Sequence, residues 1–245
     1  MTLYNSFPAL VVRRDGDDDV TTVSCGVEML SANDLPPGEV MIEVDCSSLN
    51  YKDALATRAQ PGIVRDLPHV PGIDCAGTVA TSSSADFQAG DSVLVTGYEQ
   101  GAPRWGGYSA FVRTPADWVV TLPQGFSPRD AMLYGTAGFT AAQCVSAIQG
   151  QGIEPADGEV VVTGATGGVG TVAVALLAHL GYPVVAVTGK PNKAELLQQL
   201  GATSIIPREE VNDTSGKPLP SERWAAAVDT VGGNTLGTVI RSMQH

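Results

Sequence analysis

The residues most suited to chemistry begin with Gly164-Ala165-Thr166-Gly167-Gly168-Val169-Gly170. This run follows the apolar stretch EVVVTG (159–164) and leads into GVGTVAVALLAHLG (168–181), which reads as a helix. A glycine turn that leaves a strand and opens a helix fits a dinucleotide fingerprint. Glycine lets the backbone turn sharply and come close to a pyrophosphate, and a further glycine lets helix and strand pack closely. The first amides of the helix then offer unpaired N–H groups and a partial positive charge to the phosphates.

The next strand, PVVAVTG (183–189), ends in Thr188-Gly189-Lys190, with Lys193 one turn on. An NAD site usually places Asp or Glu here to bind the ribose 2′-hydroxyl. No carboxylate stands here to repel a 2′-phosphate, and a hydroxyl and two ammonium groups are available to hold one. The expected cofactor is therefore NADPH. The alternative is that Lys190 and Lys193 are solvated residues at a helix start. Arg208, in IIPREE, either reaches the adenine-ribose side or is a surface charge.

Other oxidoreductase chemistries lack their residues. No tyrosine is followed by lysine four positions later, as a Tyr-x-x-x-Lys reductase requires. A catalytic zinc site draws on Cys, His and Glu, but the stretch Pro71-Gly72-Ile73-Asp74-Cys75-Ala76-Gly77 contains no His-Glu pair. The four cysteines, Cys25, Cys46, Cys75 and Cys144, form no C-x-x-C pair. Neither a structural zinc nor a disulfide framework is expected, and no metal site.

The elements that position these residues fall into two grammars. Residues 1–125 carry short β-branched runs separated by Gly and Pro: ALVV (9–12), VMIEVDC (40–46), GTVAT (77–81), SVLVTG (92–97), YSAFVRT (108–114) and WVVTLP (118–123). In the second run Val40, Ile42 and Val44 alternate with Met41, Glu43 and Asp45, as in a strand with one buried face. Such spacing predicts a small barrel or sandwich. DGDDD (15–19) reads as a solvated hairpin tip. Residues 126–245 alternate apolar strands with helices, the mark of a doubly wound parallel sheet. Its first helix spans 127–149, capped by Ser127 with Pro128 at the first helical position and divided by two internal glycines. Strands follow at 159–164, 183–189, 203–207 and 224–232, helices at 168–181, 192–201 and from about Asn234, and a polar loop at 212–223.

The net charge of −12 argues against nucleic acid and anionic lipid partners, while leaving room for a local cationic pocket. There is no apolar run of membrane-spanning length and no signal-peptide pattern, so a cytoplasmic location is expected.

Taken together, SSLNYKDALA (47–56), PHVPGIDCAGTV (68–79), WGGYSAFVRTPADWVVTLPQG (105–125), GTAGFTAAQCV (135–145), the long run 157–190, LGATSIIPREE (200–210) and WAAAVDTVGG (224–233) resemble the zinc-independent medium-chain dehydrogenase/reductases. The resemblance runs along nearly the whole chain and is narrowest to the quinone oxidoreductase-like branch and its acrylyl-CoA reductase group. It implies a GroES-like β-barrel domain (1–125) followed by an NADP-binding Rossmann domain (126–245). It also implies reduction of a polarised C=C bond with NADPH, acryloyl-CoA to propanoyl-CoA in the narrower group. Tyr51 matches the family's cofactor-contacting tyrosine. Thr166, Gly167, Gly168 and Val169 match the pyrophosphate loop, Thr188, Gly189 and Lys190 the 2′-phosphate loop, and Arg208 the arginine after the third strand. Many relatives have Ser-Gly-Arg where this chain has Thr-Gly-Lys. Lysine binds phosphate as a point charge, so weaker 2′-phosphate discrimination is expected. Homodimers are common among relatives.

For reduction of an enoyl thioester, charge must be stabilised on the thioester oxygen and a proton delivered to the α-carbon. Asn50, Tyr51 and Asp53 share one short stretch at a strand exit. Asn50 offers amide donors, and Tyr51 offers a hydroxyl acting as an acid at neutral pH. The alternatives are that Tyr51 only shapes the nicotinamide pocket, Asp53 caps a helix and Asn50 holds a turn. Thr136 and Thr140 either line the nicotinamide side or are bonded within a core helix. Only about four parallel strands are legible where six are usual, so the sheet reads as shortened at its C-terminal end, and low activity is expected of the 245-residue chain alone. The competing activities are quinone or general enone reduction, and, from another class, a non-catalytic NADPH-binding sensor.

Overall fold

The computed structural model describes residues 6–15, 22–214 and 221–244, which form two compact units dividing between Thr136 and Ala137. In the first unit, strands β1 (Phe7–Asp15) and β2 (Thr22–Leu30) make an antiparallel hairpin, in register from Phe7 opposite Leu30 to Asp15 opposite Thr22. Residues 16–19 of the acidic run lie outside the described residues. Strands β3 (Val40–Cys46), β4 (Asp74–Ser82), β5 (Ser92–Thr96), β6 (Phe111–Thr114) and β7 (Val120–Thr121) form an antiparallel sheet in the order β6-β3-β4-β5-β7.

The one-face expectation for residues 40–46 is corrected by β3 itself. Val40 and Ile42 join Val79, Val93, Val95 and Val112 in one cluster, whereas Met41 is buried on the other face with Phe7, Val11, Leu30 and Phe111. The β1–β2 hairpin contributes to that second cluster, so the start of β3 is apolar on both sides. Only beyond Ile42 does alternation with exposed Glu43 and Asp45 hold.

In the second unit β8 (Val160–Val162), β9 (Val184–Thr188), β10 (Ser204–Pro207) and β11 (Ala226–Val228) form a parallel sheet in the order β10-β9-β8-β11. Helices α3 (Gly168–His179) and α4 (Ala194–Gln199) connect the first three strands, and α5 (Gly233–Arg241) follows β11. Both faces are covered. Val160 and Val162 pack against Ala173, Val174 and Leu177 of α3, while Val161 packs with Trp224 and Val239. This is why the strands read as continuous apolar runs.

Between the sheets in sequence runs α2 (Pro128–Gly150), which is broken at Gly135 (φ 49°, ψ −153°). Gly138 stays helical, so one of the two internal glycines divides the helix. The start is capped as expected: Ser127 Oγ donates to Asp130 at 2.5 Å and accepts the Asp130 amide at 3.1 Å.

Candidate functional site

In the second unit, the glycine run begins where β8 ends. A side chain at Gly164 (φ +58°) would collide with Thr230 Oγ1, and one at Gly170 with the Gly164 carbonyl, so both positions need glycine for close approach. Gly167 caps α3 without a side-chain hydrogen bond, and Gly167 and Gly168 are exposed, whereas Gly170 is buried. The run is thus a glycine turn opening directly into a helix.

Beside this turn is a cleft of about 170 Å³. Thr166, Thr188, Gly189, Lys190 and Arg208 all line it, so the fold brings together residues up to 42 positions apart in sequence, whereas Gly167, Gly168 and Val169 are not among its walls. Thr188 Oγ1 accepts the Lys190 amide at 3.0 Å and lies 3.3 Å from Thr166 Oγ1. The Arg208 guanidinium occupies the space that a side chain at Gly189 would need, so glycine lets the cation lie against the backbone. The corner offers a hydroxyl, an ammonium and a guanidinium, as a 2′-phosphate would require. A second cleft, of about 530 Å³, shares Thr188 and Gly189 and runs along β10 and α4.

The same region holds residues not picked out in the sequence. Thr163 donates to Asp229 Oδ1, Asp229 Oδ2 accepts the Gly232 amide at 2.8 Å, and Thr230 Oγ1 donates to the Thr163 carbonyl at 3.0 Å. These bonds tie the ends of β8 and β11 together and set Val231 and Thr235 into the cleft wall. The signal was the Asp-Thr-Val-Gly-Gly run at 229–233, whose two terminal glycines both take positive φ.

In the first unit, residues 47–50 lead from β3 into α1 (Tyr51–Ala56). Asn50 directs both amide hydrogens inward, to Asp74 Oδ2 at 2.8 Å and Ser48 Oγ at 2.9 Å. Asp74 is fully buried and also accepts the Ser48 hydroxyl, the Thr136 amide at 2.9 Å and the Thr136 hydroxyl at 2.5 Å. Asp53, equally buried, accepts the Asn50 amide at 2.8 Å, the Ile73 amide at 2.9 Å and the Tyr108 hydroxyl at 3.0 Å. Burial and the Asp53 charge push the Tyr108 phenol well above the usual tyrosine range, so it stays a donor. Tyr51 differs from its neighbours: its side chain is 82% exposed and its hydroxyl makes no hydrogen bond to a described residue. Thr140 lies on the part of α2 within the second unit.

Within Gly72-Ile73-Asp74-Cys75, the Asp74 carboxylate is thus consumed by hydrogen bonds. Burial pushes the Cys75 thiol up to about 12, so it is protonated at neutral pH. Among the described residues no cluster of three or more His, Cys, Asp or Glu is placed to hold a metal.

Two family descriptions match the chain: the alcohol dehydrogenase GroES-like domain over residues 36–124, and the zinc-binding dehydrogenase domain over 168–245. The acrylyl-CoA reductase AcuI of Ruegeria pomeroyi is 51% identical over 239 residues, spanning 98% of this chain and 72% of that one. The yhdH oxidoreductase of Salmonella enterica, solved with NADP, superposes with a TM-score of 0.91 at 47% identity, covering 96% of this chain and 71% of that one. YhfP of Bacillus subtilis, provisionally named a quinone oxidoreductase and solved with NAD, gives 0.92 at 46% identity over 98% of this chain and 72% of its own. With a GroES-like β-domain, a Rossmann sheet and relatives of this identity along almost its whole length, the chain belongs to the zinc-independent medium-chain dehydrogenase/reductases, in the branch of the acrylyl-CoA reductases and quinone oxidoreductases.

Proposed function

We propose that this protein is an NADPH-dependent reductase of the activated C=C bond of an α,β-unsaturated acyl thioester, converting acryloyl-CoA to propanoyl-CoA or acting on a close analogue. The observation that carries the cofactor choice is the corner Thr188-Gly189-Lys190 with Arg208 against Gly189, which presents two cations and no carboxylate in the cleft wall itself, the exposed Glu209 carboxylate lying beside it, 4.0 Å from Arg208 Nε. The acyl thioester is supported by the 51% identity to an acrylyl-CoA reductase.

NADPH, when bound, supplies the hydride. The chain's own residues do the rest. The start of α3 and Thr166 hold the pyrophosphate, while Lys190 and Arg208 neutralise the 2′-phosphate. The free Tyr51 hydroxyl donates to the thioester oxygen or passes a proton to the α-carbon. Aimed at developing negative charge, such a donor contributes about 3 kcal/mol in well-formed sites. Asn50 and Asp53 act through position. With both Asn50 amide hydrogens spent on Asp74 and Ser48, and Asp53 buried beneath three donors, they hold the backbone that presents Tyr51. A cytoplasmic location belongs to the same reading and is supported by Cys25, Cys46, Cys75 and Cys144 being free thiols.

A second reading, quinone or enone reduction, is favoured by the identity to YhfP. The test is optical NADPH oxidation with acryloyl-CoA, crotonoyl-CoA and a benzoquinone in parallel. The thioester reading requires the acyl-CoA substrates to turn over fastest. A response to benzoquinone alone would replace it with the second reading, and NADPH binding without oxidation by any acceptor would leave a sensor.

A further inference from the structure

The cations of this acidic chain are unevenly placed. Of 14 basic residues against 26 acidic ones, Arg13, Arg208, Arg223 and Arg241 reach carboxylates in the described structure. Lys190, Lys193 and Arg208 lie at or beside the nucleotide corner. A separate group, Lys52, Arg58 and Arg65, belongs to the stretch that begins at Tyr51. All three are exposed, and none is paired with a carboxylate among the described residues.

The backbone keeps this group together. Lys52 lies on α1, one residue beyond Tyr51, and Arg58 follows the end of that helix. The chain then folds back tightly: Gln60 donates to the Leu55 carbonyl at 3.1 Å, Ile63 and Val64 donate to the Gln60 carbonyl at 3.0 and 3.2 Å, and Ala59 takes φ 48°. Arg58 and Arg65 therefore flank one compact turn. Of the two acidic residues within 49–66, Asp53 is buried under three hydrogen bonds, and Asp66 is the single exposed counter-charge. Immediately before the cations, Leu49 and Tyr51 leave 86% and 82% of their surface exposed. The stretch thus runs from an exposed apolar pair and a free hydroxyl to three unpaired cations.

From this juxtaposition, and resting on the acyl-thioester reading above, we infer that Lys52, Arg58 and Arg65 form the subsite for the phosphates of coenzyme A. Leu49 and the Tyr51 ring give apolar surface to the pantetheine arm. A chain of net charge −12 repels a polyanionic substrate at long range, so its capture needs local cations. A quinone needs none. Arginine binds a phosphate through a planar fork of donors, which suits Arg58 and Arg65 to the diphosphate and 3′-phosphate.

The experiment is calorimetric titration of NADP-loaded protein with coenzyme A, dephospho-coenzyme A and pantetheine. It compares the parent with the double variant Arg58→Gln/Arg65→Gln and the charge-keeping Arg58→Lys/Arg65→Lys. Parent protein is expected to prefer coenzyme A to pantetheine. The glutamine pair should weaken coenzyme A about tenfold, because two exposed contacts of about threefold each multiply to that order, while the lysine pair, which keeps the charge and loses the planar fork, should fall between it and the parent. Both positions are exposed, and a thermal melt confirms that each variant is folded. Equal affinity of the parent for coenzyme A and pantetheine overturns the subsite, as does unchanged coenzyme A binding in the glutamine pair. Phosphate-dependent binding without reduction of any acyl thioester would leave the subsite standing and remove the proposed reaction.

Discussion

At the scale of single residues, neighbours in sequence have been sorted into different jobs by partners far along the chain. Asn50, Tyr51 and Asp53 were legible as a candidate set because donors and a carboxylate cluster at a strand exit. Which of them is free was not legible, because it depends on Asp74, Ile73 and Tyr108, more than 19 positions away. Only Tyr51 retains an unspent hydroxyl. Tyr51→Phe should therefore lower kcat for an enoyl thioester about a hundredfold while leaving NADPH affinity within about twofold, since a positioned proton donor contributes on that order. Steady-state turnover read beside a direct NADPH titration checks it; retention of kcat would take the acid role from Tyr51. At the nucleotide corner the expectation drawn from Lys190 is joined by the Arg208 geometry, which the spacing alone left between a contact and a surface charge. Arg208→Ala should raise the NADPH dissociation constant about tenfold and barely change that for NADH, because the lost contact is to the 2′-phosphate. Equal losses for both cofactors would mean that Arg208 supports the loop instead.

At the scale of elements, all four parallel strands were located, because buried faces write apolar runs, although β8 and β11 are each only three residues long within the longer runs 159–164 and 224–232, and β10 is only partly buried. β2 was missed for the opposite reason. Its nine residues TVSCGVEML are exposed over most of their length, so burial imposes no alternation, and Gly26 and Glu28 dilute any β signal. β11 proved shorter than the run 224–232, because the chain leaves the sheet at Asp229 to bond with Thr163 and Gly232. The break in α2 shows how an element can be set by one carboxylate. At Gly135 the left-handed φ of 49° disfavours any side chain, and a Cβ would stand 2.6 Å from Asp74 Oδ2 and 2.9 Å from Ser48 Oγ. The amide of Thr136 is thereby free to bond Asp74. Gly135→Ala should therefore destabilise the fold by about 2–4 kcal/mol, combining left-handed strain with displacement of a buried, fully bonded carboxylate. Gly138→Ala, inside regular helix, serves as the comparison, since alanine is the better helix former. Denaturant melts of the two variants check the contrast, and similar stabilities would show that Asp74 does not fix the break.

At the scale of the whole molecule, the acidic surface and the core respond to pH in different windows, and this allows one buried group to be isolated. His69 is fully buried, with Nε2 2.9 Å from the Gly101 carbonyl, and its backbone pairs with Val12 of β1. Burial lowers its pKa below the usual histidine value, although the Gly101 carbonyl opposes this. The folded protein therefore keeps the ring neutral at a pH where the unfolded chain has already bound a proton. Between the folded pKa and about 6.5 the unfolded state holds more protons, so stability is complete above about 6.5 and is lost as pH falls below it. The slope is at most about 1.4 kcal/mol per pH unit for one group. Acidic side chains held low by hydrogen bonds, such as Asp34 and Asp130, lose their contribution only near and below the usual carboxylate range, so they do not mask the His69 window. Melting temperature should accordingly fall from pH 7 to pH 5 in the parent and change much less in His69→Gln, whose amide can still donate to Gly101 but takes up no proton. The variant will start from a lower melting temperature, so the comparison rests on slope rather than on height. Parallel slopes in the two proteins would show that acid sensitivity in this range arises elsewhere in the chain.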